Sequence, residues 1–473
     1  MSWSSALPAQ AAAQPFTVPD VPRHKPDWAR LVSLDFETYY DDDYTLSKLS
    51  TSEYIRDPRF KAQMVGIKIG NGKTKFYSAN KVAAALRAIN WSTHSALCHN
   101  MQFDGFILSH HYNIHPAYLY DTLSMARGLH SNDIGAGLDE VAVYYGGVGK
   151  IQGSLEKTKG VLNWSKAMIA ETGIYCVNDV DEMLRIFKLM LPKMPADEMD
   201  LIDLTCRMFC SPVLKVNIPR VEAELKRELD RRDVLFASVL NPALYYDDKT
   251  VLKSKAERAL EGKERDTLVV RRVIGSSEKF ADLLRAEGVE PPVKISPAWM
   301  KKSKEEREAA IDSKYAYAFA KDDAKFINLP DQTDTWGFDL NKKADLKKVV
   351  IKQARLQNLV DTRIAVKSTT NITRAQRFLV AGANGMPLPV GYAYYRAHTG
   401  RWGGQNKMNM QNLTRGGELR LSIEAAFGYH MCVADSGQIE ARVNGWLWGQ
   451  DDLLQAFRDA DGGTGLDAYC RFA

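Results

Sequence analysis

The chain has 473 residues, 45% of them hydrophobic and 26% charged, with 63 Lys and Arg against 58 Asp and Glu for a net charge of +5. At roughly 100–200 residues per domain this is room for about two to four domains, each able to bury its own core, which excludes a small disulfide scaffold, a collagenous chain and a wholly disordered one. No run of about 18 apolar residues occurs, so no helical membrane span is expected. Residues 1–27 are rich in Ala and Pro and lack the basic cluster and apolar core of a signal peptide, which predicts a flexible tail. Strand-like runs follow at Leu31-Val32-Ser33-Leu34, at Met64 to Ile69 and at Ser95 to His99, and helical periodicity covers Phe103 to His111, Gly137 to Tyr145 and Ile174 to Leu191. The two prolines of Leu191-Pro192-Lys193-Met194-Pro195 fit a domain boundary, which makes residues 28–195 one α/β domain.

From Asp197 to Leu240 the pattern is helical, with Leu201, Leu204 and Met208, then Val221, Leu225 and Leu229, on repeating faces. Residues 257–285 and 303–320 add charged, helix-forming stretches. Between Asn341 and Val380 stand ten basic residues (Lys342, Lys343, Lys347, Lys348, Lys352, Arg355, Arg363, Lys367, Arg374, Arg377) against Asp345 and Asp361, a surplus larger than that of the whole chain. Such a segment is either a solvated helix face or a polyanion contact. A Gly-, Asn- and Gln-rich stretch runs from Thr399 to Gly417, then comes a short buried-strand candidate at residues 430–434 and an apolar helix at residues 439–448. The six cysteines (Cys98, Cys176, Cys206, Cys210, Cys432, Cys470) lack the paired spacing of a zinc site and read as reduced thiols of a cytoplasmic protein.

The most informative feature is Asp35-Phe36-Glu37 at the end of the first strand. Residues i and i+2 of a strand project from one face, so both carboxylates point the same way, and like charges so placed favour a divalent cation between them. Asn100-Met101-Gln102-Phe103-Asp104 follows the third strand and puts Asp104 in the first turn of a helix. In Tyr175-Cys176-Val177-Asn178-Asp179 the i, i+4 relation puts Tyr175 and Asp179 on one helix face, with Asp181 as a surface residue. Four carboxylates (Asp35, Glu37, Asp104, Asp179) and Tyr175 in this order resemble the DEDD 3′–5′ exonucleases, in the subclass whose last motif carries Tyr, over about residues 29–191 and including Asp121-Thr122-Leu123-Ser124-Met125-Ala126. The resemblance implies two Mg²⁺ or Mn²⁺ ions held by the four carboxylates, Tyr175 and Glu37 positioning the attacking water, and Asn100 and Phe103 contacting DNA.

In Val433-Ala434-Asp435-Ser436-Gly437-Gln438-Ile439-Glu440-Ala441-Arg442 a carboxylate is expected at the exit of a buried strand, before a helix. Taken alone, the stretch is equally a helix start capped by Asp435 or Ser436. Upstream come Thr399-Gly400-Arg401-Trp402, Asn409-Met410-Gln411-Asn412-Leu413 and Arg420. This series resembles family A, DNA polymerase I-like, bacteriophage-type DNA polymerases over about residues 392–457. The resemblance implies that Asp435 is the first catalytic, metal-ligating aspartate of the palm and that Glu440 screens the sugar 2′ position. It also implies that Arg401, Gln411, Asn412, Arg420 and Gln438 touch DNA or nucleotide. Residues 196–340 then correspond to a helical thumb, with Gly275 to Leu284 resembling its tip, and residues 341–473 to a partial palm. Only 38 residues follow Asp435, and neither the fingers helix nor the His-Asp-Glu motif of the family occurs among them.

The expected architecture is therefore an α/β and α multidomain chain, a ribonuclease H-like exonuclease domain followed by a helical thumb and a partial polymerase palm. The expected function is the N-terminal portion of a replicative DNA polymerase carrying a proofreading exonuclease. Its partners would be primer–template DNA, single-stranded 3′ ends, deoxynucleotides and a C-terminal polymerase fragment, in the cytoplasm (that of a bacterial host if phage-encoded) and without a membrane. The alternative is a stand-alone DEDD exonuclease whose C-terminal part is a DNA-binding platform.

Overall fold

The computed structural model describes residues 25–130, 133–149, 155–239, 247–466 and 468–472. Most of the expected tail, residues 1–24, lies outside them. The chain divides into two compact units, one up to Glu424 and one from Ala425 onward. No described helix is long and apolar enough to cross a membrane.

The first unit is mixed α/β, built on a five-stranded sheet in the order β3-β2-β1-β4-β5. Its early elements are β1 (Leu31–Thr38), α1 (Thr51–Arg56), β2 (Ala62–Ile69), β3 (Lys75–Ser78), α2 (Ala79–Arg87), β4 (Ser95–Cys98), α3 (Met101–Tyr112), β5 (Leu119–Asp121) and α4 (Thr122–His130). β1 runs antiparallel to β2 and parallel to β4, which is parallel to β5. As the central strand it is covered on both faces, which is why Leu31, Val32, Ser33 and Leu34 are all buried in succession instead of alternating. After α5 (Leu138–Tyr144) and α6 (Leu155–Thr158) comes the long α7 (Lys166–Met190). The Ser165 hydroxyl caps α7 by accepting the Met168 N–H at 3.2 Å, and the helix packs across β1 and β2.

α8 (Ala196–Cys210) follows the two prolines but joins the same core, burying Met199, Ile202, Cys206, Phe209 and Cys210 against α3 and β5. Its Asp203 accepts the Leu119 N–H at 2.8 Å and pairs with Arg207 at 2.8 Å, which ties the helix to the sheet. The helical run expected from residue 197 breaks after Cys210, where Pro212 lacks the N–H a continuing helix needs, and resumes beyond β6 (Lys215–Val216) as α9 (Ile218–Val239).

After α10 (Lys255–Arg258), a second core lies among α9, α11 (Gly262–Gly275), α12 (Ser277–Ala286) and the elements after them, around Phe236, Ile274, Phe280, Phe319, Leu356 and Val360. β7 (Val293–Ile295) and α13 (Pro297–Met300) precede α14 (Lys304–Ala309), at which the helix expected over residues 303–320 already ends. The alternating Tyr315-Ala316-Tyr317 instead forms β8 (Tyr315–Tyr317), paired antiparallel with β7. α15 (Ala324–Ile327) leads to the basic helix α16 (Lys343–Lys367) and to α17 (Thr370–Gly382), which packs along α9. Lys342, Lys343, Lys347, Lys348, Arg355 and Lys367 face solvent, but Arg363 is 3% exposed. Its guanidinium lies 5.2 Å from the Phe280 ring and 5.4 Å from Phe319 and donates to the Ile274 carbonyl, so this cation holds the helical core together instead of facing a polyanion. The unit closes with β9 (Tyr392–Ala393), β10 (Gly403–Gly404), α18 (Glu418–Leu421) and β11 (Ile423–Glu424), the last paired with β6.

The second unit holds α19 (Ile439–Leu447), α20 (Asp451–Asp461) and α21 (Ala468–Phe472) around a small core of Ala456, Phe457 and Ala468. Arg442 binds Asp461 through two bonds of 2.6 and 2.8 Å and lies over the Phe457 ring at 4.5 Å. The strand expected at residues 430–434 is absent: that run is coil, with Val433 77% exposed, because among the described residues no strand pairs with it.

Candidate active site

β1 delivers Asp35 and Glu37 from one face, while Phe36 points the other way, is buried, and stacks on Tyr112 with ring centres 6.1 Å apart. The register with β2 shifts just after Glu37, a bulge that bends the strand at the point where it hands over its second carboxylate. Opposite Asp35 stands Gly66. A Cβ there would lie 2.7 Å from Cys176 Sγ and 3.1 Å from Val180 Cγ2, so the glycine lets α7 press onto the sheet at this level.

Asp104 enters from α3. Its Oδ1 accepts the Phe36 N–H at 3.0 Å, on the backbone between the two strand carboxylates, although 68 residues separate the partners. The turn that launches α3 is set by Asp121 at the end of β5. One Asp121 oxygen accepts the N–H groups of Asn100 (2.8 Å) and Met101 (3.2 Å), and the other accepts the Ser124 hydroxyl at 2.6 Å. Asn100 is left-handed at φ 76°, a conformation Asn tolerates better than most residues, and its side chain makes no capping bond. Asp121 thus does from the neighbouring strand what a helix cap does locally. Asp104 is 2% exposed, and burial, then the charge of Asp35, hold its carboxyl well above the usual carboxylate range.

α7 supplies the rest. Tyr175 and Asp179, one helical turn apart, are 5% and 3% exposed. Between them Cys176 brings its sulfur within 4.8 Å of carboxylate oxygens of both Asp35 and Glu37. Its thiol donates to the Asp35 carbonyl at 3.7 Å, and burial followed by the charges of Asp35, Glu37 and Asp179 pushes its pKa up. The sulfur is therefore a protonated donor, and the ligand atoms here are carboxylate oxygens. Hard oxygen donors packed together suit Mg²⁺ or Mn²⁺ better than a thiolate-seeking metal. Asp181 turns away, accepting from Lys68 at 2.7 Å and from Thr74 at 2.5 Å, and is 45% exposed.

Phe103 is half-buried beside Tyr54, with ring centres 6.1 Å apart. Its neighbour Gln102 is buried and reaches the C-terminal part of the first unit. It donates to the Tyr392 carbonyl at 2.6 Å and accepts from Asn406 at 2.9 Å and from Gln405. Tyr394 packs into the sheet's own core, and Trp402 donates to the Thr205 hydroxyl at 2.9 Å. Arg401, Gln411, Asn412 and Arg420 are exposed in this first unit, with the Gln411 side chain donating to the Trp402 carbonyl at 2.8 Å. Asp435, Gln438 and Glu440 belong to the second unit. Asp435 stands in exposed coil and not at the exit of a buried strand. Neither Asp435 nor Ser436 caps α19, since the cap position is Gln438, left-handed at φ 58°.

The sequence reading missed Gly66, Asp121, Cys176 and Gln102 as parts of the site. Gln102, Asp121 and Cys176 lay inside stretches already singled out, but a spacing pattern does not reveal which residue holds a turn from another strand.

Residues 30–195 match a family model described as 3′-5′ exonuclease (DNA_pol_A_exo1). No curated protein matches the chain. Among solved structures, the POL domain of Pol1 from M. smegmatis, in complex with DNA primer-template and dNTP, aligns over 82% of this chain at 16% identity with a TM-score of 0.47. The match covers 56% of that chain.

Proposed function

We propose that the sheet-centred part of the first unit is a DEDD-type 3′–5′ exonuclease that removes nucleotides from single-stranded 3′ ends of DNA. The hydrogen bond from the Phe36 N–H to Asp104 carries the reading, because it joins the second carboxylate motif to the backbone between the carboxylates of the first, within the span that matches an exonuclease family. Asp35, Glu37, Asp104 and Asp179 are the residues that would hold two Mg²⁺ or Mn²⁺ ions. Such ions, when bound, supply an activated water and positive charge at the leaving 3′ oxygen.

The chain's own groups do the rest. Asp104, held above the usual carboxylate range by burial and the Asp35 charge, would hold an ion only as the carboxylate, its proton released to solvent. Tyr175, on the face of α7 that carries Asp179, orients the attacking water through its hydroxyl, with Glu37 helping to position it. Gly66 and the Cys176 thiol set how closely α7 approaches Asp35. The test is Mg²⁺-dependent shortening of a 5′-labelled oligonucleotide by the parent and by Asp35→Ala. Equal shortening by both removes these carboxylates from the mechanism.

Residues 341–473 are assigned, on the order of their motifs, to a family A polymerase palm serving replication, with the exonuclease as its proofreading partner. Asp435 would be its metal-ligating aspartate, Glu440 its sugar-selecting residue, and Arg401, Gln411, Asn412, Arg420 and Gln438 its DNA and nucleotide contacts. The exposed coil around Asp435 favours a second reading, in which this part binds DNA without extending it. Primer extension by the chain, with and without a C-terminal polymerase fragment, separates the two.

A further inference from the structure

Away from the carboxylate cluster, the start of α17 and the segment after β10 line an open recess of about 390 Å³. Its polar lining includes Thr369, Thr373, Arg374, Arg377, Lys407 and Asn409. Three cations share this recess. Each is anchored by a backbone carbonyl: Arg374 donates to Asn412 at 3.1 Å, Arg377 to Lys407, and Lys407 to Ser47 at 2.6 Å. Among the described residues none of the three has a carboxylate at ion-pair distance. Burial, then the neighbouring Arg377 charge, holds Lys407 below its ordinary pKa, against a smaller opposing pull from Glu53. Carbonyl anchoring fixes the positions of these groups without neutralising them, and hydroxyl and amide donors complete the wall. That is the donor set of a phosphate site.

One wall of the pocket is continuous with the exonuclease. Gln405, which lines it, donates to Gln102 of α3, the helix that carries Asp104. The adjacent Asn406 bonds Gln102 at 2.9 Å and accepts from Thr51 at 2.6 Å. We propose that this pocket binds a backbone phosphate of the single strand whose 3′ end occupies the exonuclease site, several nucleotides upstream of that end. The inference rests on the exonuclease reading for the identity of the strand, but its ligand chemistry is a phosphodiester in any case. A recess of this volume takes a nucleotide-sized piece of one strand, which favours a single strand over a duplex laid across it.

The test measures binding in EDTA, where nothing is cleaved, by fluorescence anisotropy with oligothymidylates of about 4 and about 16 nucleotides, the usual limits of single-strand site size. Removing one cation from a phosphate lowers the slope of log K against log salt by about 0.7, so at ~0.1 M salt Arg374→Gln weakens the longer strand about fivefold. The triple variant Arg374→Gln/Arg377→Gln/Lys407→Gln weakens it roughly a hundredfold, with a slope smaller by about 2. The affinity ratio between long and short strands collapses accordingly, and Arg377→Lys, which keeps the charge, retains most of the parental affinity. Unchanged affinity for the longer strand overturns the proposal, as does an equal loss with the shorter strand or a loss confined to duplex DNA. Asp35→Ala separates the two readings, since hydrolysis surviving in that variant contradicts the exonuclease and leaves the pocket result standing. Should the triple variant fail to unfold cooperatively, the Arg374→Gln and Arg377→Lys pair distinguishes the same outcomes.

Discussion

The carboxylates of Asp35 and Glu37 and those of Asp435 and Glu440 are written alike in the sequence, each beginning after a short apolar run that reads as a strand. Their structures differ. β1 is the middle strand of a five-stranded sheet, and the backbone beside its carboxylates bonds Asp104 of α3, 68 residues from Phe36, and Cys176 of α7, 141 residues from Asp35. The run before Asp435 pairs with no strand among the described residues, and Asp435 is exposed. A carboxylate motif becomes a metal-holding site when other elements enclose it, because desolvation and like charge are what give a divalent cation something to relieve. Neighbouring strands therefore decide the outcome, and the motif alone does not.

The contrast can be broken most sharply at Asp104. Asp104→Asn is expected to lower Mg²⁺-dependent hydrolysis by about a thousandfold, the scale of losing one preorganised electrostatic group, in single-turnover assays. The same substitution is expected to raise thermal stability in EDTA at neutral pH. The folded carboxyl holds its proton where the unfolded one, with a pKa near about 3.9, has lost it. Metal-free stability therefore falls as pH rises through the ordinary carboxylate range, and continues to fall until folded Asp104 ionises. Below that range both states are protonated and the advantage of Asn disappears. Melting curves across pH read this directly, and a parent more stable than the variant in EDTA at pH 7 would contradict the account.

Gly66→Val pushes on Cys176 and Val180 and so moves α7 from the strand. A loss of about a hundredfold in hydrolysis is expected, as for a misplacement near 1 Å, with about 1–3 kcal/mol of overpacking in denaturant titrations. Gln102→Ala breaks the bonds to Tyr392, Gln405 and Asn406, with an expected cost of about 1–3 kcal/mol for buried groups left unmatched and a smaller effect on rate. Asp435→Ala lies at the other end of the scale, changing stability by no more than about 0.5 kcal/mol, as for an exposed residue. A stability loss there as large as that of Gln102→Ala would mean that the two regions are less different than their burial indicates.

The strands at residues 31–34, 64–69 and 95–98 were legible because buried central strands are continuous apolar runs, and the pairing of Tyr175 with Asp179 follows from helical spacing. The edge strand β3, half exposed, has no such signature. β5 is three residues long and carries Asp121, so neither its strand nor its role in launching α3 could be read from a pattern. α8 belongs by sequence to a helical stretch but by packing to the sheet, through Asp203 and Phe209, and only contacts reveal that. The basic surplus between Asn341 and Val380 does not tell its cations apart, and Arg363 is taken up by Phe280 and Phe319. The apolar run before Asp435 was misread as a strand because strand formation depends on partners that periodicity does not contain.

The most direct measurement is the rate at which the purified chain shortens a single-stranded oligonucleotide from its 3′ end with Mg²⁺, compared with Asp35→Ala and Asp104→Asn. The account predicts stepwise loss of 3′ nucleotides by the parent, abolished by EDTA and reduced about a thousandfold in each variant. Shortening that is independent of the metal, or that proceeds at the parental rate in both variants, would contradict it.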